Sequence, residues 1–109
     1  MLEDSFSLPD ATVAVVGLGL MGGSLALALR SHCRRILGID ANEATLEIAL
    51  SQKIVDHAEA DPASLLPQAD LVILSTPVPM IIRLLQQLPD LTPNRCIVFD
   101  LGSLTQAIA

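Results

Sequence analysis

Short apolar runs alternate along this chain with segments of helical spacing. Strands are predicted over Thr12–Val16, Arg35–Ile39, Val55–Ala58, Asp70–Ser75 and Cys96–Asp100. Helices are predicted near residues 20–31, 43–52, 62–67, 78–88 and 104–109. Near-continuous apolar strands are typical of parallel sheets that are covered on both faces. The alternation therefore predicts an α/β fold, a doubly wound parallel sheet of about five strands in three αβα layers.

The first predicted strand runs into a glycine-rich loop with the pattern G-x-G-x-x-G. Gly17 permits a tight turn, Gly19 lets the backbone approach a pyrophosphate, and Gly22 allows close packing of the next helix. The N-terminus of that helix offers free N–H groups to phosphates. The pattern predicts a dinucleotide site, and a tight turn in another α/β protein is the alternative. The candidate binding residues in the loop are Gly17, Leu18, Gly19, Leu20, Met21 and Gly22.

Asp40 ends the second predicted strand, 18 residues after Gly22. A carboxylate at this distance can accept hydrogen bonds from a ribose and repels a 2′-phosphate, which favours NAD over NADP. A helix cap is the alternative role for Asp40. Ligands in such sheets bind at the carboxyl ends of strands. Ser75, Thr76 and Pro77 at the fourth strand are therefore further cofactor-binding candidates, although Thr76-Pro77 can equally be a simple strand terminator.

The uncharged stretch Ala11–Leu29 is 19 residues long, which is close to a membrane span. Four glycines interrupt it, and acidic rather than basic residues precede it, unlike a signal peptide. We therefore expect no membrane association and a cytoplasmic protein.

Composition and charge narrow the classes of protein and of partner that remain possible. The chain is 51% hydrophobic and 17% charged, so that one domain with a real core is expected. A net charge of −6 argues against a nucleic-acid partner. The two cysteines, Cys33 and Cys96, lie far apart and are expected to be reduced. No Cys or His group has metal-ligand spacing, so no metal is expected, and His32 and His57 are expected to be surface or core residues.

Four segments together resemble the N-terminal nucleotide-binding domain of prephenate and arogenate dehydrogenases. They are Val16–Arg30, Ile36–Asp40, Ala69–Val78 and the Asp-x-Gly-Ser stretch Val98–Ser103. The resemblance implies a Rossmann-type fold, NAD as cofactor, and oxidative decarboxylation of prephenate or arogenate in tyrosine biosynthesis. It assigns Ser103 a catalytic role, as the serine that contacts the substrate hydroxyl.

The chain departs from the family pattern in three places. Thr105 occupies the position of a usual lysine, and neither the His-Pro motif nor the helical substrate and dimerisation domain occurs in the 109 residues. We therefore expect residues 1–109 to be an incomplete NAD-binding Rossmann domain, inactive alone, from a protein that forms homodimers through the missing domain. The alternatives are another 3-hydroxyacid-type dehydrogenase or reductase, and an NAD-binding module without catalysis.

Overall fold

Five parallel strands form a single sheet in the computed structural model, which describes residues 7–75, 86 and 96–100. The strands are β1 Thr12–Val16, β2 Arg35–Ile39, β3 His57–Glu59, β4 Leu71–Leu74 and β5 Ile97–Asp100. Their order is β3-β2-β1-β4-β5, and every described pairing is parallel. The chain moves outward from β1 in one direction to β3 and then crosses to β4 on the other side. This arrangement confirms the predicted Rossmann-type doubly wound sheet.

Three α-helices connect the strands among the described residues: α1 Leu20–Leu29, α2 Glu43–Ser51 and α3 Pro62–Leu65. Side chains cap the starts of α2 and α3. The Asn42 side chain accepts a hydrogen bond from the N–H of Thr45 at the start of α2, at 3.2 Å. Asp61 accepts one from the N–H of Ala63 at 3.0 Å and precedes a proline at the first position of α3.

Buried residues form one apolar cluster on each face of the sheet. The α1 and α2 side contains Val13, Val15, Ile36, Ala26 and Leu46 among its members. The opposite side is covered by α3 and a 3₁₀ turn over Leu66–Gln68, and it contains Ala14, Val16, Leu37, Leu65 and Leu66 among others. Every residue of β1 is buried. The three αβα layers are therefore present, and β1 lies at the centre of both apolar clusters.

The third strand differs from its predicted position. It was expected over Val55–Ala58 but pairs with β2 over His57–Glu59. Val55 is buried because its side chain packs in the helical layer, near the position that a Cβ on Gly38 would occupy. Its apolar character therefore reflects packing outside the strand.

The end of α2 also differs from the helical pattern. By helical spacing Lys53 would share a face with Leu46 and Ala49 and close it by reaching out to water, but it lies beyond the helix with φ of 59°, in the left-handed region. The N–H of Ile54 donates to the Ala49 carbonyl and the N–H of Lys53 to the Leu50 carbonyl. This is a Schellman C-cap, in which glycine is the usual residue at the Lys53 position. Leu50, which helical spacing places on the same face as the buried Leu46 and Ala49, is 44% exposed.

The remaining elements shift only at their ends. Helix α1 stops at Leu29 rather than Ser31, and β4 and β5 are shorter than predicted by one or two residues. The predicted helices over 78–88 and 104–109 fall outside the described ranges, apart from Gln86, which is helical.

Candidate functional site

The carboxyl ends of β1, β2 and β4 bring the candidate residues to one edge of the sheet. The loop Gly17–Gly22 follows β1, Asp40 follows β2 and Ser75 follows β4. Strand β2, which follows β1 in the chain, lies on one side of the β1–β4 pair, and β5, which follows β4, lies on the other, so the strand order reverses between β1 and β4. Such a switch point is where ligands bind in open α/β sheets.

Gly17 makes the turn out of the sheet. Its φ is 94°, in the region that L side chains rarely adopt, and its N–H donates to the Ile39 carbonyl at 2.7 Å. The loop is therefore held against the end of β2 as soon as the chain leaves β1. The tight-turn role predicted for Gly17 is consistent with this geometry.

Gly22 brings the first turn of α1 against the loop. An added Cβ would lie 1.9 Å from the Gly17 carbonyl oxygen and 3.2 Å from the Ser75 Cβ. No side chain fits between these groups, so glycine is required for this approach. The same contact places Ser75, which is half-buried, next to the glycine loop.

Gly19 is different because it faces open space. A Cβ built on it meets nothing within 4 Å. Gly19 is also the N-cap of α1, and the N–H of Gly23 donates to its carbonyl at 2.7 Å. The first N–H groups of any α-helix lack partners within the helix. An open N-terminus with no side chain in front of it suits an incoming phosphate.

Asp40 is joined to the glycine loop directly. One carboxylate oxygen accepts the N–H of Leu18 at 2.8 Å, and the other accepts the N–H of Asn42 at 2.9 Å. Asp40 does not cap α2, because Asn42 occupies the N-cap position. A carboxylate has about four lone-pair sites, so these two bonds leave acceptor capacity for a ligand.

The apolar loop residues divide into one buried and two exposed side chains. Leu18 is only 6% exposed, whereas Leu20 is 93% exposed and Met21 is 50% exposed. Leu20 and Leu27 also line a groove of about 460 Å³ between α1 and α2. The sequence motif indicated that Leu18 belongs to the loop, but it carried no signal that its side chain is buried in the helical layer.

Other candidate residues lie elsewhere or beyond the described ranges. Thr76, Pro77 and Ser103 are outside the residues that the structure describes. Cys33 and Cys96 are free, and each precedes a strand, which places it at the sheet edge opposite the loop. Burial raises the pKa of both thiols, which disfavours the reactive thiolate.

Among the residues that the structure describes, no three His, Cys, Asp or Glu side chains are grouped so that they could hold a metal ion. None of the helices described here has the length and apolar character needed to cross a membrane.

Comparison with known proteins gives consistent matches. A family model described as prephenate dehydrogenase, nucleotide-binding domain, matches residues 25–109. Prephenate dehydrogenase from Bacillus subtilis (strain 168) is 32% identical over 100 residues, covering 89% of this chain and 27% of that protein.

Two solved structures also resemble the chain. Prephenate dehydrogenase from A. aeolicus, crystallised with hydroxyphenyl propionate and NAD+, superposes with a TM-score of 0.81 at 32% identity, covering 90% of this chain and 35% of that one. Arogenate dehydrogenase from Synechocystis has a TM-score of 0.76 at 36% identity, covering 82% and 32%. The chain therefore spans about a third or less of the length of these relatives.

Proposed function

The chain belongs to the family of prephenate dehydrogenase nucleotide-binding domains, and from that premise we propose that it binds NAD as part of a prephenate or arogenate dehydrogenase. The observation that carries the proposal is the junction of the glycine loop with Asp40. The family match favours this function over the alternative of another 3-hydroxyacid-type dehydrogenase.

The residues of the site fit a dinucleotide. The open position at Gly19 would admit the pyrophosphate, and the close contact between Gly22 and Gly17 brings the N-terminus of α1 up to it. Leu20 and Met21 stand at the first two positions of α1, where their N–H groups can donate to phosphate oxygens. These residues would hold the pyrophosphate by backbone groups, so their side chains need not be polar.

Asp40 would select the nucleotide. Its carboxylate would accept hydrogen bonds from the adenosine ribose and would repel the 2′-phosphate of NADP. Ala41 and Asn42, which follow it, provide no positive charge to offset that repulsion. Ser75 lies against Gly22 at the same edge, and with Thr76 and Pro77 we propose that it lines the cofactor site.

The bound NAD would accept a hydride from the ring carbon that carries the substrate hydroxyl, and the ring would lose carbon dioxide to become aromatic. We propose Ser103 as the residue that contacts that hydroxyl, by its match to the family's Asp-x-Gly-Ser motif. The rest of the chain would position the cofactor for this transfer.

We propose that residues 1–109 supply the nucleotide-binding part alone and that the protein forms a homodimer through other residues. A cytoplasmic location is proposed because acidic residues precede the apolar run Ala11–Leu29.

Thermal unfolding with and without nucleotide tests the proposal. A ligand that binds only the folded state at a hundred times its Kd adds about 2.7 kcal/mol of stability. For a domain of this size we expect NAD+ to raise Tm by at least about 10 °C, and NADP+ at the same concentration to raise it much less. No shift with NAD+ would contradict the proposal. Adding prephenate or arogenate and following absorbance at 340 nm separates an active enzyme from a module that only binds.

A further inference from the structure

Gly38 is the fourth of the five residues of β2. A glycine within a strand weakens it and often marks a site where other groups approach the backbone closely. The φ of Gly38 is not positive, so backbone conformation does not explain why a glycine stands at this position. A Cβ built on Gly38 would lie 2.6 Å from Cδ1 of Leu18 and 3.0 Å from Cγ1 of Val55. The missing side chain therefore leaves a space, the Gly38 notch, that the Leu18 side chain enters.

The notch lies on the same face of β2 as the α1 and α2 layer. Leu18 and Val55 both belong to the apolar cluster on that face. Leu18 is 6% exposed and Val55 is 3% exposed, so moving either side chain aside would expose buried apolar surface to solvent. A side chain added at Gly38 must therefore push against a packed layer.

The end of β2 holds the loop at two further points. The N–H of Leu18 donates to the Asp40 carboxylate at 2.8 Å, and the N–H of Gly17 donates to the Ile39 carbonyl at 2.7 Å. Three consecutive residues of the chain, 38 to 40, thus contact the first two residues of the loop. Two of these contacts are hydrogen bonds, and the third is the apolar contact in the notch.

We propose that Gly38 is a positioning residue for the dinucleotide, acting through Leu18; this inference rests on the proposed function. Leu18 stands between two glycines, whose backbones are the most flexible in the loop. Seating its side chain in the notch fixes that backbone before the nucleotide arrives. A preformed loop binds more tightly because less ordering is required on binding.

Titration of NADH, followed by nicotinamide emission, tests the proposal on four versions of the 109-residue chain. They are the wild type, Gly38→Ala, Leu18→Val, and the double variant. Valine lacks the δ carbon that an alanine side chain at 38 would meet. We expect Gly38→Ala to raise Kd at least about fivefold in the wild-type background and less than about twofold in the Leu18→Val background. A coupling of this size is within the range that contacting residues show.

Gly23→Ala is the matched control. Its Cβ would meet the Leu18 carbonyl oxygen at 3.4 Å, an ordinary contact, so this variant should bind NADH like the wild type. Circular dichroism of each variant reports whether it is folded. A general loss of stability would weaken binding equally in both backgrounds, whereas an effect through Leu18 is relieved by valine.

Each outcome decides between the proposals. If the wild type does not bind NADH, the proposed function fails, and this inference fails with it. If the wild type binds but Gly38→Ala has the same Kd, or loses affinity equally in both backgrounds, the inference alone is overturned. If Gly38→Ala unfolds while the double variant folds and binds, the contact with Leu18 is supported. If Gly38→Ala and the double variant both unfold, the Gly38 notch stabilises the core rather than the loop, and the inference is overturned.

Discussion

Replacing Gly22 with alanine should cost the fold more than any neighbouring glycine-to-alanine change. The new Cβ would lie 1.9 Å from the Gly17 carbonyl oxygen, so the groups must separate by roughly 1.5 Å to reach the ordinary contact distance of 3.4 Å. The opposing atom is backbone, and Gly17 is fixed by its hydrogen bond to the Ile39 carbonyl. Overpacking typically costs about 1–3 kcal/mol. Because no flexible side chain can yield here, we expect about 3 kcal/mol for Gly22→Ala.

Urea unfolding followed by circular dichroism measures this cost, since the chain has neither Trp nor Tyr. Total stability is expected to be about 5–15 kcal/mol for a chain of this length, so a loss of about 3 kcal/mol shifts the midpoint clearly. Gly23→Ala is the control, because its Cβ makes an ordinary contact at 3.4 Å from Leu18. That change should be neutral or stabilising by up to about 1 kcal/mol, as alanine is the better helix former. An unchanged midpoint for Gly22→Ala, or an equal loss in both variants, would show that the close approach of Gly22 to Gly17 does not require glycine.

Three further substitutions probe the fold away from the loop. Lys53→Gly should raise stability by about 1 kcal/mol in thermal melts, because φ of 59° is unfavourable for lysine; a loss of stability would contradict this. Arg30 and Asp56 form an ion pair at 2.8 Å with both side chains about one-third exposed, so Arg30→Ala should cost at most about 1 kcal/mol. Asp56→Ala should cost more, about 1–3 kcal/mol, because the N–H of Ile36 also loses its acceptor. Equal costs in urea unfolding would show that this second bond adds nothing.

Much of the fold could be predicted from local pattern. The strand Thr12–Val16 lies where its apolar run predicted it. Asn42 and Asp61, whose side chains cap α2 and α3, stand directly before the predicted starts of those helices, so these caps also depend on nearby residues. The turn at Gly17 and the close approach at Gly22 were equally predictable, because both positions impose a local steric need for glycine. Gly19 is the exception, since a Cβ built there meets nothing within 4 Å. Asp40 could be placed at the same edge because parallel strands bring their carboxyl ends together.

The contacts that could not be predicted are those between residues distant in sequence. Leu18 has the same apolar character as Leu20, yet one is buried and the other is 93% exposed. Only the packed sheet shows that Gly38 provides the space for Leu18. Val55 was wrongly assigned to a strand, because an apolar residue can be buried either by a helical layer or by strand pairing and the sequence does not distinguish the two. The left-handed turn at Lys53 could not be predicted, because the usual signal for it, a glycine, is absent from that position.

Parallel titrations of the chain with NADH and NADPH, followed by nicotinamide emission, test whether the glycine loop and Asp40 form an NAD site. We expect saturable binding of NADH, with a Kd at least about tenfold lower than that for NADPH, because the Asp40 carboxylate repels the 2′-phosphate. Equal or tighter binding of NADPH would contradict the role of Asp40, and no emission change with either nucleotide would contradict the site itself.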